Sequence, residues 1–205
     1  MQTILHICCS PRGVAAFSRR ASNRVIAGLL ARHPGARVIQ RDLSANPPPL
    51  VDAGFSNAIL SGGAASPALA VSEALIEELE GADSWVIATP MHNYGVPAVL
   101  KAWVDQVVRI HRTFRSTPAG KIGLLADRPV FVCVASGGWF SGPSPIGTPA
   151  QPDFLRPYLT AVLATIGLHD VRFITLEGVA RGTEAADLAL AKADAAITAA
   201  LNKIG

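Results

Sequence analysis

The sequence predicts an α/β fold: a five-stranded parallel sheet with helices on both faces. Strand-like and helix-like segments alternate along the whole chain. The strands read as near-continuous apolar runs rather than alternating ones, which is the pattern of strands buried on both faces. Neither an internal repeat, a low-complexity tract nor a linker interrupts the 205 residues, so residues 1–205 read as one domain.

Taken in order, Thr3 to Cys8 is a short β-rich run. Ser18 to Arg32 carries Val25, Ile26, Leu29 and Leu30 at helical spacing, and Pro34-Gly35 turns the chain into a second strand, Arg37 to Arg41. Leu43 to Pro67, with Pro47-Pro48-Pro49 and Gly62-Gly63, reads as a long excursion holding one short helix around Asp52 to Ser61. A helix follows from Ala68 to Glu80, with Gly81 as its stop signal. Ser84 to Thr89 is the third strand, and Pro97 to Arg109 a helix with proline in its first turn. Pro129 to Ala135 is the fourth strand, Asp153 to Ile166 a helix, Val171 to Leu176 the fifth strand and Thr183 to Asn202 the closing helix.

Composition narrows the function. Half the residues are apolar, 16% are charged and the mean hydropathy is +0.34. The charge-free stretches Ala53 to Ser72, Ser84 to Leu100 and Pro129 to Pro152 are each broken by Gly, Pro, Asn, Ser or His, so no membrane-spanning run is expected. The net charge is +3, but the basic residues form no stripe, which argues against nucleic acid and for a small phosphorylated ligand. Three cysteines suit a reducing compartment, and Met1 to Cys9 lacks the features of a signal peptide, so the expected location is the cytoplasm. Cys8 and Cys133 read as small core residues, and no metal site is expected.

In a sheet of this kind ligands bind outside the carboxyl ends of the strands, which singles out three loops. After the first strand, Ser10 and Ser18 bracket a loop entering a helix, with Arg12, Arg19 and Arg20 nearby; such a loop suits a phosphate monoester, or Ser18 is simply an N-cap. Neither a Walker A nor a G-x-G-x-x-G pattern is present. After the third strand, Pro90-Met91-His92-Asn93-Tyr94-Gly95-Val96-Pro97 is stiff and offers backbone amides and soft apolar surface to a flat heteroaromatic ring; alternatively Met91 and Tyr94 are core residues and His92 a surface histidine. After the fourth strand, Ser136-Gly137-Gly138-Trp139-Phe140 admits close backbone approach with aromatic walls, or is a flexible turn bearing an exposed Trp.

Together these loops resemble those of the FMN-dependent NADH-azoreductases and NADH:quinone oxidoreductases, which are flavodoxin-like. The P-M-x-N-[FY] loop followed by Leu100-Lys101 is the specific part, supported by Thr113-Phe114-Arg115, Gly137-Gly138, Pro157-Tyr158-Leu159 and Gly167. The resemblance implies a three-layer sandwich with strand order 2-1-3-4-5. It implies bound FMN, with Ser10, Ala16, Phe17 and Ser18 at the phosphate, Met91, His92, Asn93 and Tyr94 along the isoalloxazine ring, and Ser136, Gly137, Gly138 and Trp139 near its pyrimidine side. Ala16 stands where the family commonly has a hydroxyl, and Ser116 where it often has Tyr. The activity implied is ping-pong hydride transfer through flavin N5 from NADH or NADPH, NADH favoured, to a quinone or an aromatic azo compound, with His92 or water as the proton donor. It also implies a homodimer with the flavin sites at the interface. The rival readings are a general NADPH-dependent FMN or nitro reductase and a flavodoxin-type electron carrier.

Overall fold

A computed structural model describes residues 1–62 and 66–204. Its elements are β1 (Thr3–Cys8), α1 (Phe17–Arg32), β2 (Arg37–Asp42), α2 (Ala53–Leu60), α3 (Ala70–Glu80), β3 (Ser84–Pro90), α4 (Ala98–Val107), β4 (Phe114–Thr117), β5 (Gly120–Gly123), β6 (Val130–Ala135), α5 (Leu155–Thr165), β7 (Val171–Leu176) and α6 (Thr183–Leu201). Single 3-10 turns at Gly13–Ala15 and Pro67–Leu69 precede α1 and α3. Of the glycine pair in the long excursion, Gly62 has φ +68° and Gly63 lies outside the described residues.

The main sheet is parallel with order β2-β1-β3-β6-β7. Counting only its own strands, this is the expected 2-1-3-4-5. Pleating sorts each strand's side chains between two cores. Leu5, Ile7, Trp85, Ile87, Val130, Val132 and Val134 face α3, α4 and α5, where Trp85 meets Trp103 edge-on at 6.3 Å. Ile4, Val86, Phe131, Cys133 and Ile174 face α1 and α6. Residues in β1, β3 and β6 are buried on both sides, which explains why these strands read as near-continuous apolar runs. No helix among the described residues is long and apolar enough to cross a membrane.

Two features depart from expectation. Gly81 ends α3 as expected, but in ordinary right-handed backbone, φ −75°, rather than as a left-handed cap. The carbonyls at that helix end are taken instead by side chains: Trp85 Nε1 donates to Leu79 O at 3.3 Å, and Arg128 Nη1 donates to the carbonyls of Leu79 and Ala82. The second departure is an antiparallel hairpin, β4–β5, between α4 and β6. It packs on the turn after α5 through two glycines. A Cβ on Gly123 would lie 2.2 Å from the Gly167 backbone nitrogen, and one on Gly167, whose φ is +108°, would lie 2.5 Å from the Leu125 carbonyl oxygen.

Strand order reverses between β1 and β3, because the chain leaves β1 toward β2 on one side and returns on the other. A crevice forms at the carboxyl ends of these strands.

Candidate active site

At one end of the crevice, the loop after β1 runs through Ser10 into α1. The N-cap of α1 is Ala16, which offers no side-chain oxygen, so the first-turn N–H groups keep their hydrogen-bonding capacity. Ser18 is therefore not the N-cap but the second residue of the helix. Its Oγ is buried and has no hydrogen-bond partner. A buried unpaired hydroxyl costs free energy, and one set beside the positive end of a helix dipole suits a dianionic phosphate. Arg12 lines the same cleft and lies over the Phe17 ring at 5.7 Å.

The loop after β3 is fixed by backbone geometry. Met91 N donates to Ala135 O at 2.8 Å, and His92 and Gly95 exchange hydrogen bonds at 3.0 and 2.9 Å. Asn93 and Tyr94 between them have φ of +48° and +69°. Two consecutive left-handed residues inside such a pair make a type I′ turn, a conformation that costs a tyrosine free energy. Phe154 N donates to Tyr94 O at 2.9 Å and braces the turn from the far side. Met91 is buried, while Tyr94 stays 45% exposed.

The loop after β6 closes the crevice. Ser136 N donates to Leu176 O and Val179 N donates to Ser136 O, pinning this loop to the one after β7. Gln151 reaches back over it: its N–H donates to Trp139 O at 2.8 Å, and its Nε2 donates to Ser136 Oγ at 2.8 Å and contacts Met91 Sδ at 3.4 Å. The resulting cavity has two adjoining parts. One, of about 230 Å³, contains Ser10, Ala16, Phe17, Ser18 and His92. The other, of about 300 Å³, contains Asn93, Tyr94, Ser136, Gly138 and Gln151. Met91 and Gly137 line both. An anion-binding end joined to a slot walled by a rigid turn and a glycine pair fits a phosphorylated planar heterocycle.

A family model described as the flavodoxin-like fold matches residues 2–201. Among curated relatives, "FMN-dependent NADH:quinone oxidoreductase 2" of Cupriavidus pinatubonensis is 48% identical over 189 residues, 90% of each chain. The chain belongs to this family of flavodoxin-like proteins. "FMN-dependent NADH:quinone oxidoreductase 4" of Pseudomonas fluorescens is 44% identical over 199 residues, covering 97% of this chain and 95% of the relative. Among solved structures, an azoreductase from Bacillus anthracis superposes with TM-score 0.83 at 23% identity, covering 98% of this chain and all of the other. An FMN-dependent NADH-azoreductase from the same species, in complex with FMN, gives 0.80 at 21% identity over the whole of both chains. These two likenesses concern the fold.

Within this member of the family, eleven of the twelve residues picked out from the sequence line the two-part cavity. Trp139 does not. It packs against Gly178 and under Arg181, whose guanidinium carbon is 5.8 Å from its ring centre, and it lines a neighbouring groove beside α6. Arg19 also points elsewhere, donating to Asp42 at 2.9 Å. Cys8, Cys9 and Cys133 are buried and free; burial pushes the Cys8 thiol up to about 11 and raises those of Cys9 and Cys133 as well. Gln151, Val179 and Ala180 line the cavity without having been signalled by the sequence. They come from loops with no motif of their own, and only the return of the chain to β6 and β7 brings them in.

Proposed function

We propose that this chain binds FMN in the two-part cavity and uses NAD(P)H, NADH foremost, to reduce quinones and reductively cleave aromatic azo compounds. The observation that carries this reading is the orphaned Ser18 hydroxyl at an uncapped helix start, opening onto the rigid turn and the glycine pair. Relatives named as FMN-dependent NADH:quinone oxidoreductases, up to 48% identical, support it. Residues 1–205 act in this reading as a single FMN-binding domain in the cytoplasm.

FMN, when bound there, would supply the two-electron hydride chemistry that links the nicotinamide to the acceptor. The protein's share is binding, orientation and charge. Ser10, Ser18, the first-turn amides of α1 and Arg12 hold the phosphate. Met91 and the Asn93-Tyr94 turn back the ring, and the turn's fixed geometry means that little has to be ordered on binding. The Gly137 amide would stabilise negative charge near the pyrimidine side, while the Gly138 N–H donates to Ser136 Oγ at 3.3 Å and steadies the loop. His92, exposed at the mouth of the cavity, or water delivers the proton that the acceptor needs. Donor and acceptor use the same open slot in turn, which makes the kinetics ping-pong.

Tyr94, Phe154, Ile122 and Leu124 are exposed apolar side chains on the ring-side turn, its brace and the hairpin's end, and they support a homodimer with the flavin sites at the interface. The experiment is direct. The purified protein, incubated with FMN, is expected to be yellow and to bleach with one equivalent of NADH under anaerobic conditions. Reoxidation by benzoquinone, menadione or an azo dye, with parallel lines in double-reciprocal plots, completes the test. A protein that shows no flavin absorbance after incubation with FMN would sink the reading, and a monomeric holoprotein would remove the dimer from it. His92→Gln, assayed with acceptors of differing proton demand, distinguishes the histidine from water as donor.

A further inference from the structure

We propose that Gln151 is a specificity residue of the cavity: its carboxamide oxygen accepts a hydrogen bond from the imide N–H of the flavin. The inference rests on the FMN reading given above. Met91 Sδ can only accept a hydrogen bond, so the group 3.4 Å from it is the amide nitrogen, and this fixes which way the carboxamide faces. The same Nε2 donates to Ser136 Oγ at 2.8 Å. Both N–H donors are thus committed to the protein, and Oε1 is turned to the cavity wall beside Gly138. A Cβ on Gly138 would sit 2.7 Å from Oε1, so glycine at this position is what admits the side chain. The backbone that carries this side chain is fixed as well, the main-chain N–H of Gln151 donating to Trp139 O at 2.8 Å.

The chemistry of the ligand selects the partner. An oxidised isoalloxazine ring carries one N–H, at N3 between two carbonyls, and its remaining polar ring positions accept. An acceptor-only group among otherwise donating backbone amides complements that one position. The neighbouring amide of Gly137 is suited to an adjacent carbonyl, and together they read the imide edge.

The test compares FMN with 3-methyl-FMN, in which N3 carries methyl instead of hydrogen, by fluorescence titration of the wild-type protein, Gln151→Met and Gln151→Glu. The wild type is expected to prefer FMN by about tenfold, the size of one well-made hydrogen bond. In Gln151→Met, of similar volume and without a strong acceptor, the preference should shrink to within about twofold. Gln151→Glu keeps an acceptor and should keep the preference, which guards against a misfolded methionine variant. Equal affinities in the wild type, or an unchanged ratio in Gln151→Met, would overturn the role of Gln151 while leaving FMN binding intact. Failure of the wild type to bind FMN at all would overturn both.

Discussion

The Arg19 guanidinium donates to the Asp42 carboxylate at 2.9 Å, tying α1 to the end of β2 with both side chains mostly buried. The pairing turns Arg19 away from the cavity and leaves Arg12 as the cation that lines its phosphate end. A hydroxyl two residues into α1 then stands unpartnered beside helix N–H groups that nothing caps.

Ser18→Ala is therefore expected to separate binding from stability. Removing an unpaired buried hydroxyl deletes a desolvation cost, so the melting temperature of the FMN-free protein should hold or rise slightly. A hydrogen bond to a charged phosphate is lost, which at about 1.5 kcal/mol or more weakens FMN by roughly tenfold. Riboflavin, which lacks the phosphate, should bind both proteins equally. Parallel loss of riboflavin affinity would mean that Ser18 is not at the phosphate. Arg12→Gln should weaken FMN and flatten its salt dependence, whereas Arg19→Gln should act mainly on stability.

The type I′ turn gives a second prediction. Tyr94 at φ +69° pays for a backbone that glycine adopts freely, and Asn-Gly is the favoured pair for this turn. Tyr94→Gly should stabilise the FMN-free protein by up to about 1 kcal/mol in urea denaturation, while turnover with quinone falls because the wall of the ring slot is gone. A variant that loses stability would show that the Tyr94 ring, not its backbone, holds the turn.

The sheet strands are legible in the sequence because burial on both faces leaves few polar residues in β1, β3 and β6. The β4–β5 hairpin is not. Its strands are four residues each, mostly exposed, and carry no alternating pattern, and what holds them is the contact between Gly123 and Gly167, distant in sequence. The cavity divides the same way. Loops that leave a strand directly, at Ser10, Met91 and Gly137, are read from position alone. The direction of Arg19 depends on Asp42 at the end of another strand, and the place of Gln151 depends on its bond to Trp139, so no local pattern could signal either.

The glycine contact is itself testable. Gly167→Ala must place a Cβ 2.5 Å from the Leu125 carbonyl at a φ of +108°, and Gly123→Ala must place one 2.2 Å from backbone that cannot swing aside. Each should cost about 2–4 kcal/mol by urea denaturation. Gly35→Ala, where nothing lies within 4 Å of the added carbon, should change stability by less than about 0.5 kcal/mol. Near-neutral Gly123 and Gly167 variants would mean the hairpin can lift from the body at little cost.

The last prediction concerns acid stability and the buried His6. Ser22 Oγ donates to Arg19 O, so at 2.8 Å it accepts from His6 Nε2, which lies 3.3 Å from Cys8 Sγ; the ring is neutral and 3% exposed. Burial, with the nearby Arg19 charge adding to it and Asp42 opposing, lowers its pKa from 6.5 to about 4. The unfolded chain then takes up a proton at higher pH than the folded one. The stability associated with neutral His6 is complete above pH 6.5, drains away as pH falls toward about 4, and changes no further below that. A shift of this size corresponds to about 3 kcal/mol. Carboxylates lose their own contributions over an overlapping range, so the measurement is a difference: urea denaturation of wild type and His6→Gln at intervals from pH 7.5 to 4. Gln keeps a donor for Ser22 and cannot take the proton, so the variant's curve should be flatter by about 3 kcal/mol across that window. Parallel curves would mean that His6 titrates alike in the folded and unfolded chains, and that the polar pair under the first loop is open to water.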